Sequence, residues 1–206
     1  MMALLTSAWL CLPLAPLNPT QQDTLAAMNL HVTMGATTPN HLVGVGPRLS
    51  VGYEALAVHP WVVAASMDYQ YGSLTDEVGL SGKMHQGTLA VNALYYRGTD
   101  RLTAYLGGGP ILRFGHVSPS AATSDSLWTS YQVEKVGLKI APGYRLFLGL
   151  RFHRTISLEV TVNQVISDLE YTRRLSPVQT ATYSQRVNLS SFSVTLGYIW
   201  ELRRIW

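Results

Sequence analysis

The chain has 206 residues, a formal net charge of +3 and one cysteine, and only 13% of its residues are Asp, Glu, Lys or Arg. Soluble domains carry about 25% charged residues, so a soluble barrel of this length would lack a charged exterior. The small net charge, without basic runs interleaved with aromatics, excludes a nucleic-acid surface, and Cys11 alone excludes an intramolecular disulfide or a cysteine zinc cluster.

Residues 1–25 read as a signal peptide or an N-terminal extension, and residues 26–206 as one barrel domain. Met2 to Leu17 is apolar, broken by Pro13 and Pro16, and a polar run from Asn18 to Thr24 follows. Ala15 and the pair Ala26-Ala27 offer small residues for cleavage. The first basic residue is Arg48, so a positive leader region is missing. Either translation starts upstream of Met1, or the segment packs at a barrel mouth. Beyond it no run of about 18 apolar residues occurs, so no transmembrane helix is expected. A membrane protein without such helices must be a closed barrel, because lipid cannot satisfy open backbone groups.

Eight segments alternate with period two. The first, about Ala26 to Thr37, puts Met28, Leu30, Val32, Met34 and Ala36 outward and Asn29, His31, Thr33 and Gly35 inward. The second puts Val43, Val45, Pro47, Leu49, Val51 and Tyr53 out; a bulge is expected at Pro47, which removes a ladder donor. The third places Trp61, Val63, Ala65, Met67, Tyr69 and Tyr71 out, and a loop from Ser73 to Lys83 follows. The fourth shows Leu89, Val91, Ala93 and Tyr95 out, and Gly98-Thr99-Asp100 turns the chain.

In the fifth, Leu102, Ala104, Leu106, Leu112 and Phe114 oppose Thr103, Tyr105, Ile111 and Arg113, with a bend expected at Gly107 to Pro110. The sixth has Val136, Leu138, Ile140 and Tyr144 out against Gly137, Lys139, Ala141 and Arg145, and is expected to turn between Leu148 and Arg154. The seventh sets Ile156, Leu158, Val160 and Val162 against Ser157, Glu159, Thr161 and Asn163; a loop is expected from Tyr171 to Arg186. The last, Ser191 to Glu201, alternates Phe192, Val194, Leu196, Tyr198 and Trp200 against Ser193, Thr195 and Gly197.

Apolar residues toward lipid, small or polar ones toward a lumen, aromatic ends, and alternating short and long connections are the marks of an antiparallel, up-and-down transmembrane barrel. The run Tyr105-Leu106-Gly107-Gly108-Gly109 and the aromatic-rich last strand resemble the small outer-membrane β-barrel family, the OmpA/OmpX-like eight-stranded type, over about residues 26–206. The resemblance implies an outer membrane of a Gram-negative-type bacterium, contact with its lipid and lipopolysaccharide, and a monomer. It also implies a C-terminal aromatic read by barrel-assembly machinery; Trp200 and Trp206 both qualify.

The lumen face gathers Arg48, Arg113, Lys139 and Arg145 with Glu54, Asp68 and Glu159. An eight-stranded barrel is just wide enough for its own side chains, so these charges are expected to neutralise one another and plug it. A narrow pore or proton path is the alternative. Some barrels of this family are lipid A deacylases with a Ser-His-acid set. Here His116 and Ser118 share a strand face, with Asp125 in the next loop, while His153 and Ser157 lie at the other rim. No further motif surrounds either pair, so an enzyme is not expected, nor is any metal or cofactor. Lys83, Arg173, Arg174 and Arg186, with Tyr171 and Tyr183, are expected to meet lipopolysaccharide phosphates or an acidic partner. A lipocalin- or avidin-type soluble barrel would need an apolar lumen and a charged exterior, the reverse of this pattern.

Overall fold

In the computed structural model the described residues are 27–39, 45–58, 61–75, 81–99, 101–119, 133–176 and 178–204. The proposed signal segment, Asp125 and Trp206 lie outside them. Nine strands follow in order: β1 (Ala27–Pro39), β2 (Gly46–Val58), β3 (Trp61–Thr75), β4 (Ser81–Gly98), β5 (Leu102–Pro119), β6 (Val133–Phe152), β7 (Ile156–Ser176), β8 (Gln179–Asn188) and β9 (Ser191–Arg204).

Each of β1 to β7 pairs antiparallel with the next, and β9 closes the ring by pairing with both β7 and β1. β8 and β9 are one wall strand. Ile166↔Asn188 and Asn163↔Ser191 belong to the same register on β7, so the step at Leu189-Ser190 neither adds nor removes a residue. The result is a closed, all-β, eight-stranded barrel. Closure leaves the lower wall without a free edge, which is what lipid demands of backbone.

The predicted facing holds along most of the wall. Met67, Leu89, Val91, Leu112, Val162, Val194 and Leu196 are exposed, whereas Asp68, Thr88, Asn92, Arg113, Thr161, Ser193 and Thr195 are buried. Aromatics stand at both ends of this apolar belt: Trp61 packs edge-on against Tyr95 at one end, and Tyr71 against His85 at the other. Ten residues separate Trp61 from Tyr71, about 33 Å along a strand, and a tilt of 35–45° reduces that to about 25 Å of height. That height matches the hydrocarbon band of an outer-membrane barrel.

Four local expectations are corrected, and a fifth, at Gly107 to Pro110, is met by a local lapse in pairing. Pro47 makes no bulge, because it is the second residue of β2 and pairing with β3 begins only at Arg48. The run Gly107 to Pro110 keeps β5 in unbroken register with β6, while pairing with β4 lapses at Gly109 and Pro110. The Phe147 ring lies over Gly107, where a Cβ would sit 2.4 Å from it. The sixth strand does not turn at Leu148 but runs to Phe152, and the turn follows at His153 and Arg154, both with positive φ. Register on β6 breaks between Leu138 and Gly143, where Pro142 lacks an N–H, so facing changes parity and Val136 points inward rather than outward. Finally, most of Tyr171 to Arg186 is not a loop. β7 and β8 continue as a ribbon past the end of β1, with Tyr171 stacked on Tyr183 at 5.4 Å.

Candidate functional site

The lumen is filled in layers. Near the short-turn end, Val62, Ala64, Leu94, Tyr96, Tyr105 and Phe147 form one apolar cluster. Toward the ribbon end a second is built on Met84, Ile111, Val117, Val136, Val165, Leu169, Val187 and Leu189. The sequence reading missed this upper cluster. Ile111 was read as inward, but Met84, Val117, Val165, Leu169, Val187 and Leu189 lie where the strands run beyond the alternation assigned from sequence, and Val136 lies beyond the parity change on β6.

Two charged layers lie between and beside these clusters. In the first, Asp68 on β3 receives Arg48 of β2 at 3.2 Å and also Arg145 of β6. Arg145 further donates to Asn163 Oδ1 at 2.8 Å and Ser66 Oγ at 3.1 Å, and Arg48 donates to Ser193. Because β3 and β6 are not neighbours, the Arg145–Asp68 pair ties opposite walls. In the second, Glu54 on β2 is paired with Arg151 of β6 and accepts from Tyr96 Oη at 2.8 Å and Asn29 Nδ2 at 3.3 Å. The Arg151 guanidinium also lies 4.6 Å from the Tyr96 ring centre and 5.1 Å from that of Tyr105. Charge, hydrogen bonds and aromatic faces thus compensate one buried cation.

Arg113 and Glu159 behave differently. Arg113 is held by neutral oxygens: the Leu189 carbonyl, Thr88 Oγ1 at 3.3 Å and Ser191 Oγ at 3.4 Å. Glu159 accepts from Tyr105 Oη at 3.2 Å and Thr161 Oγ1 at 2.7 Å. Each is therefore satisfied by dipoles, without a direct ion pair among the described residues.

Lys139 does not belong to this set. The register break on β6 carries it to the outer surface, where its ammonium pairs with Glu170 at 2.8 Å and its side chain is 52% exposed. Its place in the lumen is taken by Arg151. The sequence held a signal for Arg151: continuing the alternation from Arg145 through Phe147 and Gly149 puts residue 151 inward. The Tyr105 ring covers Gly149, whose Cβ would meet it at 2.1 Å, so that glycine is the tenon-hole of the same layer.

A cavity of about 20 Å³ lies between the charged layers, bounded by Ser50, Glu54, Asn92, Tyr105, Arg145 and Glu159 among others. That volume has room for about one water molecule. A hollow of about 630 Å³ lies on the apolar outer wall, lined by Val51, Tyr53, Met67, Leu89 and Leu112.

His116 and Ser118 do share the outward face of β5, His116 exposed and Ser118 half-buried, flanking the inward Val117. Among the described residues no hydrogen bond joins them, and Asp125 is outside the description. At the other rim, His153 is exposed in the turn while Ser157 is buried in the lumen. The structure does not bring that second pair together.

At the ribbon end, Lys83 is exposed, with Ser73 and Ser118 as its cross-strand neighbours. Arg186 is also exposed, but it stands opposite Asp168 on β7. Arg173 and Arg174 fall on the β7 side of the ribbon, opposite Ala181 and Thr180. Carboxylates therefore interleave with cations here, which the sequence reading had not included.

This architecture is that of the small eight-stranded outer-membrane β-barrels. Among solved structures, the outer membrane protein OprG from Pseudomonas aeruginosa matches with a TM-score of 0.59 and 12% identity, over 85% of this chain and 97% of that one. Neisserial surface protein A matches with a TM-score of 0.48 and 12% identity, over 85% and 96%. AlkL, determined in lipid bilayers, matches with a TM-score of 0.48 and 14% identity, over 87% and 93%. The sequence matches no protein-family model and no curated protein. At 12% identity, the likeness to OprG is one of fold.

Proposed function

We propose that this chain is an outer-membrane barrel of a Gram-negative-type bacterium, a filled scaffold that presents its strand extensions and rim to the cell exterior. The observation carrying this reading is the inversion of a soluble protein's surface. Large apolar side chains such as Met67, Val91, Leu146 and Leu196 are exposed, whereas Arg48, Glu54, Asp68, Arg113 and Arg145 are buried. Such an exterior is stable only against hydrocarbon. Assembly machinery reads the last strand in this proposal, and the barrel acts as a monomer.

The role is one of structure and surface interaction, without catalysis or bulk transport. The layered filling and the small cavity favour a closed lumen over a narrow pore. The outer ends meet the anionic phosphates of lipopolysaccharide or an acidic partner through Lys83, Arg173, Arg174 and Arg186. Arginine grips phosphate with two parallel hydrogen bonds, and such contacts weaken as salt rises.

The test is a quadruple change of these cations to Gln, measured for binding to lipopolysaccharide vesicles and for folding in detergent. Weaker, less salt-dependent binding with intact folding is expected. Unchanged binding would reduce this end of the barrel to a connection. A lipid A deacylation assay of the unaltered protein, with Ser118→Ala as its control, separates a hydrolase from this reading.

A further inference from the structure

We propose that His85 and His116 form a binding site for a late first-row divalent metal, Cu²⁺, Ni²⁺ or Zn²⁺, on the outer wall of the barrel. The two histidines are far apart in sequence but are direct register partners on β4 and β5. Both side chains leave the same outward face: Met84, Gln86 and Val117 on either side of them point into the lumen and are buried. Cβ atoms of directly opposed residues are about 4.5–5.5 Å apart, within which two imidazoles can converge on one ion.

His85 is held ready for this. Its Nδ1 shares a 2.6 Å hydrogen bond with Tyr69 Oη, and the Tyr71 ring packs edge-on against it at 5.1 Å between centres. In the tautomer with the proton on Nδ1, that proton goes to the tyrosine oxygen and the Nε2 lone pair is left for a metal. A hydrogen bond to the distal ring nitrogen is how metal-bound histidines are commonly oriented. Tyr69 is thus a positioning residue.

The donor set selects the ion. Two imidazoles whose described register neighbours, Tyr71 and Gly137, carry no carboxylate or thiolate suit copper, nickel and zinc, whereas Mg²⁺ and Ca²⁺ require oxygen ligands. Ser118 and solvent remain to complete the coordination. The next register pair is Lys83 and Ser118, and the pair on the other side is Gly87 and Phe114. The Lys83 ammonium opposes a dication, so the site is expected to be modest in affinity and to tighten when that charge is removed. The site is independent of whether the rim binds lipid phosphate.

The experiment is a titration of tag-free, detergent-folded protein with Cu²⁺ alone, followed by electron paramagnetic resonance. One ion per barrel with hyperfine structure from two nitrogens is expected, undisturbed by excess Mg²⁺. His85→Gln or His116→Gln should leave one nitrogen and weaken binding by more than about a hundredfold, beyond the loss usual for a supporting residue. Tyr69→Phe should keep both nitrogens and weaken binding by about tenfold. Shifted gel mobility of unboiled samples confirms that each variant is folded. Absence of saturable binding, a single-nitrogen signal, or binding that survives both histidine substitutions would overturn the site. Unchanged affinity in Tyr69→Phe would overturn the role of the tyrosine.

Discussion

The guanidinium of Arg113 on β5 hydrogen-bonds the main-chain carbonyl of Leu189, at the step where β8 passes into β9. Leu189 N donates to Val165 O at 2.9 Å, as an antiparallel ladder requires. The return bond is absent. Val165 N instead donates to Ser190 Oγ at 3.3 Å, and Asn188 Oδ1 accepts from Ser190 N at 2.9 Å. The ladder gives up one carbonyl to a buried arginine and replaces it with a hydroxyl, so register survives while the wall strand is notched. Leu189 itself is buried in the upper apolar cluster.

Arg113→Met should leave the Leu189 carbonyl without its buried partner, at a cost of about 1–3 kcal/mol. Arg113→Lys should recover only part of this, since one ammonium cannot reach Thr88, Ser191 and the carbonyl together. Urea titration in detergent measures the loss. Hydrogen exchange should rise first at Leu189 and Ser190, and uniform exchange along β8 and β9 would contradict the notch.

The Glu54–Arg151 pair should show strong coupling. Arg151→Met strands a buried carboxylate and should cost about 3–5 kcal/mol, whereas Arg151→Met with Glu54→Gln should cost clearly less. Stability of the two single variants and the double variant closes the cycle. Additive losses would mean that the two charges do not depend on each other.

Facing can be tested by insertion of charge. Leu158→Arg or Val194→Arg, on the exposed belt, should cost about 2–4 kcal/mol near mid-membrane. Thr161→Arg meets a different obstacle, since Thr161 is fully buried and bonded to Glu159. Its penalty should persist in every lipid thickness, while that at Val194 should vary with depth. Equal tolerance at Val194 and Thr195 would show that the register is misplaced.

A closed lumen predicts silence in planar bilayers. The pure protein should give no steady, large conductance, and Arg145→Ala should not by itself open a path, because Asp68 remains bridged to Arg48. Steady porin-like currents from the unaltered protein would refute the filling.

Location follows the same logic. The protein should fractionate with outer membranes, require detergent for extraction, and migrate differently before and after boiling. Extraction in aqueous buffer alone would contradict an exterior that exposes Trp61, Met67 and Leu196.

Alternation along the chain determined which residues face outward, because side chains on a strand point to opposite sides and apolar residues are gathered on one of them. Phe192 to Trp200 and Trp61 to Tyr71 could therefore be assigned without coordinates, as could the closed barrel and the inward Arg48, Glu54, Asp68, Arg113 and Arg145. Tertiary structure alone decided where the alternation slips. The break on β6 exports Lys139 and imports Val136 through pairing with β5 and β7, which no periodicity within β6 can reveal. It likewise decided the partners: Arg145 on Asp68 across the lumen, Arg113 on a carbonyl, and His85 opposite His116. A strand pattern fixes a direction for each side chain, but contact across a barrel depends on stagger between strands that the sequence does not encode locally.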